Sequence, residues 1–289
     1  MTYCLAWKQN GCIFMVGDSL MSSRKLERFH SNESSIGEVH GEYGGYYVEE
    51  TSSKIFHFKD ILIAFSVNEW YYNEIVEIIE LQLNVFEFKV ILQNICNSYS
   101  HTAEFELLIA KKNGNSNLLY YVNGSSVELI ENYKSIGSGK NIDMLTETLW
   151  NFTRGFEFDV DDVEILVSKM VVFLQIIIYK NGFLEFGVGG TVCGACLKDE
   201  IKWNQDLFYL FYEKNFDQRM TLNVIVRDSI LLTGSDYSHI NKIFASLGVK
   251  PIHNKFEYIR KLLKIINTTS PRIVVYYSRY YNCIYFVTL

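Results

Sequence analysis

The first nineteen residues constrain this chain more than any other stretch. Two apolar runs, 3–7 and 12–16, flank Asn10-Gly11, the dipeptide that most favours a two-residue type I′ turn because both of its residues tolerate positive φ. A hairpin closed by that turn sets Gln9 opposite Cys12, Tyr3 opposite Asp18 and Thr2 opposite Ser19. A carboxylate is thereby carried to the very start of the chain. Thr2 is small enough for a cytosolic aminopeptidase to remove Met1 before it. An N-terminal threonine holds a hydroxyl nucleophile and an amine base in one residue. The amine's ordinary pKa of about 8 leaves part of it unprotonated at neutral pH. The bland reading of the same residues is a hairpin that opens a β domain and does no chemistry.

The 289 residues, 48% apolar, suffice for a large domain with a sizeable core. An aromatic content of 15% with only two prolines suggests β-rich structure with short loops. A net charge of −6 gives no basic footprint for nucleic acid. The most apolar stretch, 170–178, is broken by Gln175 and is too short to span a bilayer. No signal-peptide pattern opens the chain, and six irregularly spaced cysteines fit free thiols in a reducing cytosol, so a cytoplasmic protein without membrane or nucleic-acid partners is expected. Cys193-Gly-Ala-Cys196 has redox or metal spacing, but no second Cys/His pair matches it. The acidic stretch 156–164 lacks the glycine and final glutamate of a calcium loop, and reads as helix capping by Asp159 with Asp161, Asp162 and Glu164 in the first turn. No metal and no cofactor are therefore expected.

Along the chain, 20–53 is polar, Gly-containing and aperiodic, a long loop or ragged hairpin. Strands at 54–58 and 61–65 turn at Lys59-Asp60. Ile75, Ile78, Ile79 and Leu83 stripe a helix over 69–83, and Phe88, Ile91, Leu92 and Ile95 a second one ending near 98–101. Strands follow at 105–111, 118–122 and 126–130. Ser135-Ile-Gly-Ser-Gly139 then precedes a helix with the stripe Ile142, Leu145, Leu149 and Phe152. Such a bend allows close backbone approach, with the serine hydroxyl projecting from the turn. A buried helix ends at Tyr179, and a strand spans 191–197. Beyond it come a short aromatic helix over 203–213, a strand at 222–227, helices at 237–247 and 256–267, and a strand pair at 272–277 and 283–287.

Met1-Thr-Tyr-Cys-Leu-Ala-Trp-Lys8, with Gly11, Phe14 and Asp18-Ser19, resembles the bacterial proteasome-related Anbu proteins and, more broadly, the proteasome β-subunit/HslV branch of the N-terminal-nucleophile hydrolases. The resemblance covers roughly residues 1–200 and implies an α+β fold, a four-layer αββα sandwich of two antiparallel sheets between helix layers. It implies a main domain over 1–245, with an insertion at about 20–53 and a C-terminal extension over 246–289. It places Thr2 as nucleophile and Asp18 and Lys54 beside it, with Ser138 next to the amine. Glu185 stands where these proteins carry an aspartate, in a segment whose serine is replaced here by Val188. Asn68 and Ser19 take the oxyanion and substrate-binding positions. The implied activity is a threonine peptidase or amidohydrolase acting on peptide or protein substrates. The implied assembly is a ring or spiral of identical subunits, with room for a separate unfoldase or regulatory partner. The alternative is an inactive scaffold or binding subunit on the same framework.

Overall fold

Asn10 and Gly11 adopt φ of 49° and 77°, and the hairpin that they close pairs Gln9 with Cys12 and Cys4 with Gly17. This is the register dictated by a two-residue turn. The structure is a computed structural model that describes residues 2–23, 33–50, 53–66, 70–102, 105–114, 116–155, 162–214, 217–227, 230–234, 273–278 and 283–288. Among these residues the fold is mixed α+β, with largely antiparallel sheets and four α-helices.

The hairpin strands Cys4–Gln9 and Cys12–Gly17 form the middle of the first sheet. Tyr133–Ile136 borders one side; Cys193–Leu197 and then Ile201–Trp203 border the other. Both faces are buried, which explains why the strands read as continuous apolar runs and not as alternation. Cys4, Ala6, Ile13 and Met15 face Leu62, Ala64, Leu108 and Ala110 of a second sheet. That sheet runs in the order Val127–Ile130, Ser116–Asn123, Glu106–Asn113, Ile61–Phe65, Ile55–Phe58. Small residues recur in the layer between the sheets, while Trp7 and Phe14 stack on the opposite face with ring centroids 5.0 Å apart.

Each sheet buries its other face against helices. Helices α1 (Trp70–Gln82) and α2 (Phe88–Ser98) cover the second sheet through Ile75, Ile79, Ile91 and Ile95. Helices α3 (Asp143–Arg154) and α4 (Val163–Asn181) cover the first. The cap of α4 is Asp162, whose carboxylate accepts the Ile165 N–H at 3.1 Å. The expected cap Asp159, with Asp161, lies outside the described residues.

Helix α4 is apolar around most of its circumference, as a helix buried on two sides must be. Its far side meets a third sheet, in the order Ile230–Gly234, Asp217–Arg227, Leu207–Lys214, Ile273–Ser278, Cys283–Thr288. Leu207, Tyr209, Phe211, Leu222, Val224 and Ile273 join the same core cluster as α4 and the hairpin. The aromatic helix expected over 203–213 is thus overturned. Leu207–Lys214 is a central strand, antiparallel to Asp217–Arg227 and parallel to Ile273–Ser278. Three alternate side chains, Leu207, Tyr209 and Phe211, put a period of two onto α4, and the β-forming aromatics fit it. The helices expected at 237–247 and 256–267 lie outside the described residues.

The 20–53 segment is not a bare loop. Leu20–Ser23, Tyr46–Glu50 and Gly41–Tyr43 form a three-stranded antiparallel sheet, with Tyr46–Glu50 in the middle. No helix among the described residues is long and apolar enough to cross a membrane.

Candidate active site

Three strand registers converge on the chain start. Carried outward, the hairpin register sets Thr2 opposite Ser19 and Tyr3 opposite Asp18. On the other flank Trp7 faces Tyr133 and Cys4 faces Ile136, so the same register sets Thr2 opposite Ser138. Beyond the hairpin, Cys193 faces Gly17, which puts Thr191 across from Ser19.

Thr2 is only 2% exposed. Its hydroxyl donates to Asp18 Oδ1 at 2.6 Å, and the Tyr3 N–H donates to the same oxygen at 3.0 Å. Asp18 Oδ2 accepts the Gly189 N–H at 3.0 Å. Burial pushes the Asp18 carboxyl up to about 6, against the pull of the Thr2 and Tyr3 hydrogen bonds, the Lys54 charge and the Gly189 N–H. Lys54 is itself buried. Its charge also draws down the Cys4 and Cys193 thiols, which burial holds well above their usual range.

The turn at 137–139 closes on Thr2 from the other side. Gly139 N–H donates to the Thr2 carbonyl at 3.1 Å, with Ser138 Oγ 3.5 Å from the same oxygen. Gly137 has φ of 87°, and a Cβ there would overlap the Thr2 carbonyl oxygen. A Cβ on Gly139 would stand 2.7 Å from Tyr3 Cδ2 and Val188 Cγ2. The approach therefore requires glycine at both ends of the serine. Beneath the turn, Glu106 accepts the Gly137 N–H at 3.0 Å on Oε2, and on Oε1 the Tyr121 hydroxyl and the Lys140 ammonium, each at 2.6 Å.

The structure thus brings Thr2, Asp18, Lys54 and Ser138 together. Glu185 is not brought in: it is exposed on the short helical turn Leu184–Phe186. Ser138 Oγ instead donates to the neighbouring Phe186 carbonyl at 2.5 Å. Turning at Gly187 buries Val188 against Gly139 and leaves the glutamate facing out. Asn68 lies outside the described residues. Ser19 is buried and engaged, accepting the Thr191 N–H at 2.8 Å and donating to Glu50 at 2.7 Å.

Sequence reasoning missed two glutamates on the inserted segment. Successive N–H groups of Gly189, Gly190 and Thr191 reach Asp18, Glu38 and Glu50, the last two at 2.7 Å each. A Cβ on Gly189 would stand 2.6 Å from Glu38 Oε2, and one on Gly190 3.0 Å from Glu50 Oε1. Gly189-Gly190 thus admits both carboxylates. Burial, with smaller contributions from the Glu50 and Asp18 charges, raises Glu38 to about 7 despite its bonds to Gly190 and Ser34. Burial would raise Glu50 too, but donors from Ser35, Ser19 and Thr191 outweigh it and leave Glu50 below its ordinary value. Gln175 of α4 fixes the same loop, donating to the Gly190 carbonyl and accepting the Val192 N–H. Nothing in the aperiodic 20–53 sequence signals these contacts. Glu106, by contrast, is visible in the sequence as a lone carboxylate in the apolar run 105–110.

A cavity of about 200 Å³ adjoins the 137–139 turn, lined by Tyr46, Ser66, Glu106, Gly137, Ser138, Lys140 and Asn141. No protein-family model matches this chain, and no curated protein aligns with it.

Proposed function

We propose that this protein is an N-terminal threonine amide hydrolase on a proteasome-like αββα framework, with the third sheet added outside α3 and α4. The observation that carries the reading is the Thr2 hydroxyl bonded to buried Asp18, beside buried Lys54, with the Thr2 carbonyl gripped by the 137–139 turn. After removal of Met1, the Thr2 amine takes the hydroxyl proton as Oγ1 attacks a peptide carbonyl. The leaving amine receives that proton, an ester to Thr2 remains, and water hydrolyses it to release the acid and restore the hydroxyl. The Lys54 charge favours the alkoxide, and Asp18 orients both groups. Ser138 and Gly139 fix the main chain that carries the nucleophile. Peptide or protein substrates, cytoplasmic residence, self-association into a ring or spiral and a separate unfoldase belong to the same proposal.

A scaffold role on the same framework is favoured by the near-complete burial of Thr2 and by the outward-facing Glu185. Intact mass before and after treatment with a threonine-directed epoxyketone separates the two. Loss of Met1 and a single adduct, absent in Thr2→Ala, supports the hydrolase. Retained Met1 with no adduct leaves the scaffold.

A further inference from the structure

We infer that Glu106 is a positioning residue of the hydrolase: it ties the 137–139 turn, which grips the nucleophile, to the sheet that carries Lys54. This rests on the reading of Thr2 as the nucleophile.

The two halves of the site ride on different sheets. Thr2 leads into the hairpin strand Cys4–Gln9 of the first sheet. Lys54 leads into Ile55–Phe58, at the edge of the second, and its carbonyl accepts the Phe65 N–H at 3.1 Å. The layer between the sheets is apolar. Apolar burial is non-directional, whereas proton transfer needs groups held within hydrogen-bond reach. The 137–139 turn is also lightly held by its own sheet. It continues Tyr133–Ile136, a four-residue strand paired with Cys4–Gln9 on one side and lying at the sheet edge on the other.

Glu106 supplies the directional link. It opens the strand Glu106–Asn113 of the second sheet, and its carbonyl accepts the Ser66 N–H at 3.1 Å. Phe65 faces Leu107 on that side and bonds to Lys54 on the other, so Glu106 and Lys54 flank the same pair of residues. The Glu106 side chain then crosses to the first sheet, where Oε2 accepts the Gly137 N–H at 3.0 Å. Gly137 meets Thr2 with its opposite side, where a Cβ would overlap the Thr2 carbonyl oxygen. Contacts therefore run from Lys54 through Phe65, Ser66, Glu106 and Gly137 to Thr2. Asp18 closes the circuit, bonded to the Thr2 hydroxyl and within the field of the Lys54 charge. The carboxylate is itself held still, as a positioning group must be. It is buried, and Oε1 accepts the Tyr121 hydroxyl from its own sheet and the Lys140 ammonium from the turn, each at 2.6 Å. A charged acceptor makes each of these bonds shorter and stronger than a neutral one would.

The test follows adduct formation with a peptide epoxyketone by intact mass on the full chain lacking Met1. Varying the probe concentration separates the limiting rate from the half-saturating concentration. Glu106→Ala is expected to lower the limiting rate about tenfold or more and to leave half-saturation within about twofold, because the residue acts through the turn. Glutamine keeps an acceptor for the Gly137 N–H, and the Tyr121 hydroxyl can turn to accept from its amide. Glu106→Gln should therefore restore the limiting rate to within about threefold of the parent. Because alanine empties a buried site, Tyr121→Phe is the second variant. It removes one hydroxyl that holds Glu106 and should lower the limiting rate about threefold at unchanged half-saturation. A parental limiting rate in Glu106→Ala overturns the inference while sparing the nucleophile, as does slowing that glutamine does not relieve. Should Glu106→Ala fail to fold, a parental limiting rate in Tyr121→Phe overturns it equally. No adduct on the parent chain removes Thr2 as nucleophile, and the inference with it.

Discussion

Glu38→Gln tests whether the inserted sheet is strapped to the site by a carboxylate that holds its proton. Glu38 Oε2 accepts the Gly190 N–H and the Ser34 hydroxyl, while Oε1 is buried without a partner among the described residues. Burial, then the charges of Glu50 and Asp18, raise the group from 4.5 to about 7. Between those values the native state keeps a proton that the unfolded chain has released, so native stability falls as pH rises. The contribution is full below about 4.5, and it is lost once pH has risen through about 7. At about 1.4 kcal/mol per pH unit that window caps the loss near 3.4 kcal/mol, and partial exposure of Glu38 reduces it to about 1–2 kcal/mol. Asp18, raised from 3.8 to about 6, slopes the same way at lower pH. Glu50, lowered from 4.5, slopes oppositely, losing its contribution as pH falls below the unfolded value, outside the Glu38 window. Glutamine keeps an acceptor for Gly190 and has no proton to lose. Urea unfolding at pH 5, 6, 7 and 8 should show the variant gaining on the parent from pH 5 to 7, by about 1–2 kcal/mol in all, and levelling off above pH 7. Two parallel stability curves would refute the reasoning, because the carboxyl would then titrate alike in both states.

Gly137→Ala places a methyl on the Thr2 carbonyl at a φ of 87°; a loss of about 3 kcal/mol or more in urea unfolding is expected, with epoxyketone labelling abolished. Asp18→Asn cannot accept from both Thr2 and Gly189 without turning its amide against one of the donors. It should cost about 2–3 kcal/mol and slow adduct formation at least about tenfold, read by unfolding and intact mass. Tyr209 is fully buried, and its hydroxyl has no partner among the described residues. Tyr209→Phe should therefore leave stability unchanged or raise it by about 1 kcal/mol, and a fall in melting temperature would contradict this.

The site was legible where it depended on local registers and illegible where it depended on distant carboxylates. Asn10-Gly11 alone dictated which residues the hairpin opposes, so Asp18 could be brought to Thr2 by counting. Ser138 needed a strand that the sequence hides: Tyr133–Ile136 is four residues long, too short for any periodicity to show. Glu38 reaches Gly190 across 152 positions, from a segment without pattern. Glu185 was placed by the resemblance alone, and a short turn with Gly187 in left-handed conformation turns it outward instead. The error over 203–213 had a different cause. Aromatic runs suit either element, and only the partner strand Ile273–Ser278, some sixty positions away, decides between them.

The buried helix that the sequence shows ending at Tyr179, α4, implies a further layer that the four-layer expectation lacks. Its sequence carries Met170, Val171, Val172, Leu174, Ile176 and Ile178 with no polar stripe, and a helix on the outer side of a sandwich has no use for such a second apolar face. Two sides of apolar surface require two covers. The hairpin sheet supplies one, and the third sheet, through Leu207, Tyr209, Phe211 and Val275, supplies the other. The buried polar residues of α4, Ser168 and Gln175, are spent on backbone partners: Ser168 accepts the Gln205 N–H, and Gln175 holds the 190–192 loop. The third sheet is therefore bound to the site through α4, and also directly, by a hydrogen bond between the Ser35 and Thr233 hydroxyls at 2.7 Å. Its strands press on the face of α4 that lies opposite the hairpin, and Gln175 of that helix sets the backbone that Glu38, Glu50 and Asp18 clasp. Loosening that sheet should disturb the loop before it disturbs the hairpin. Hydrogen exchange on Phe211→Ala is the measurement: Gly190 and Val192 amides should lose protection while Leu5 and Phe14 retain theirs. Equal loss at all four would mean that α4 transmits nothing selectively.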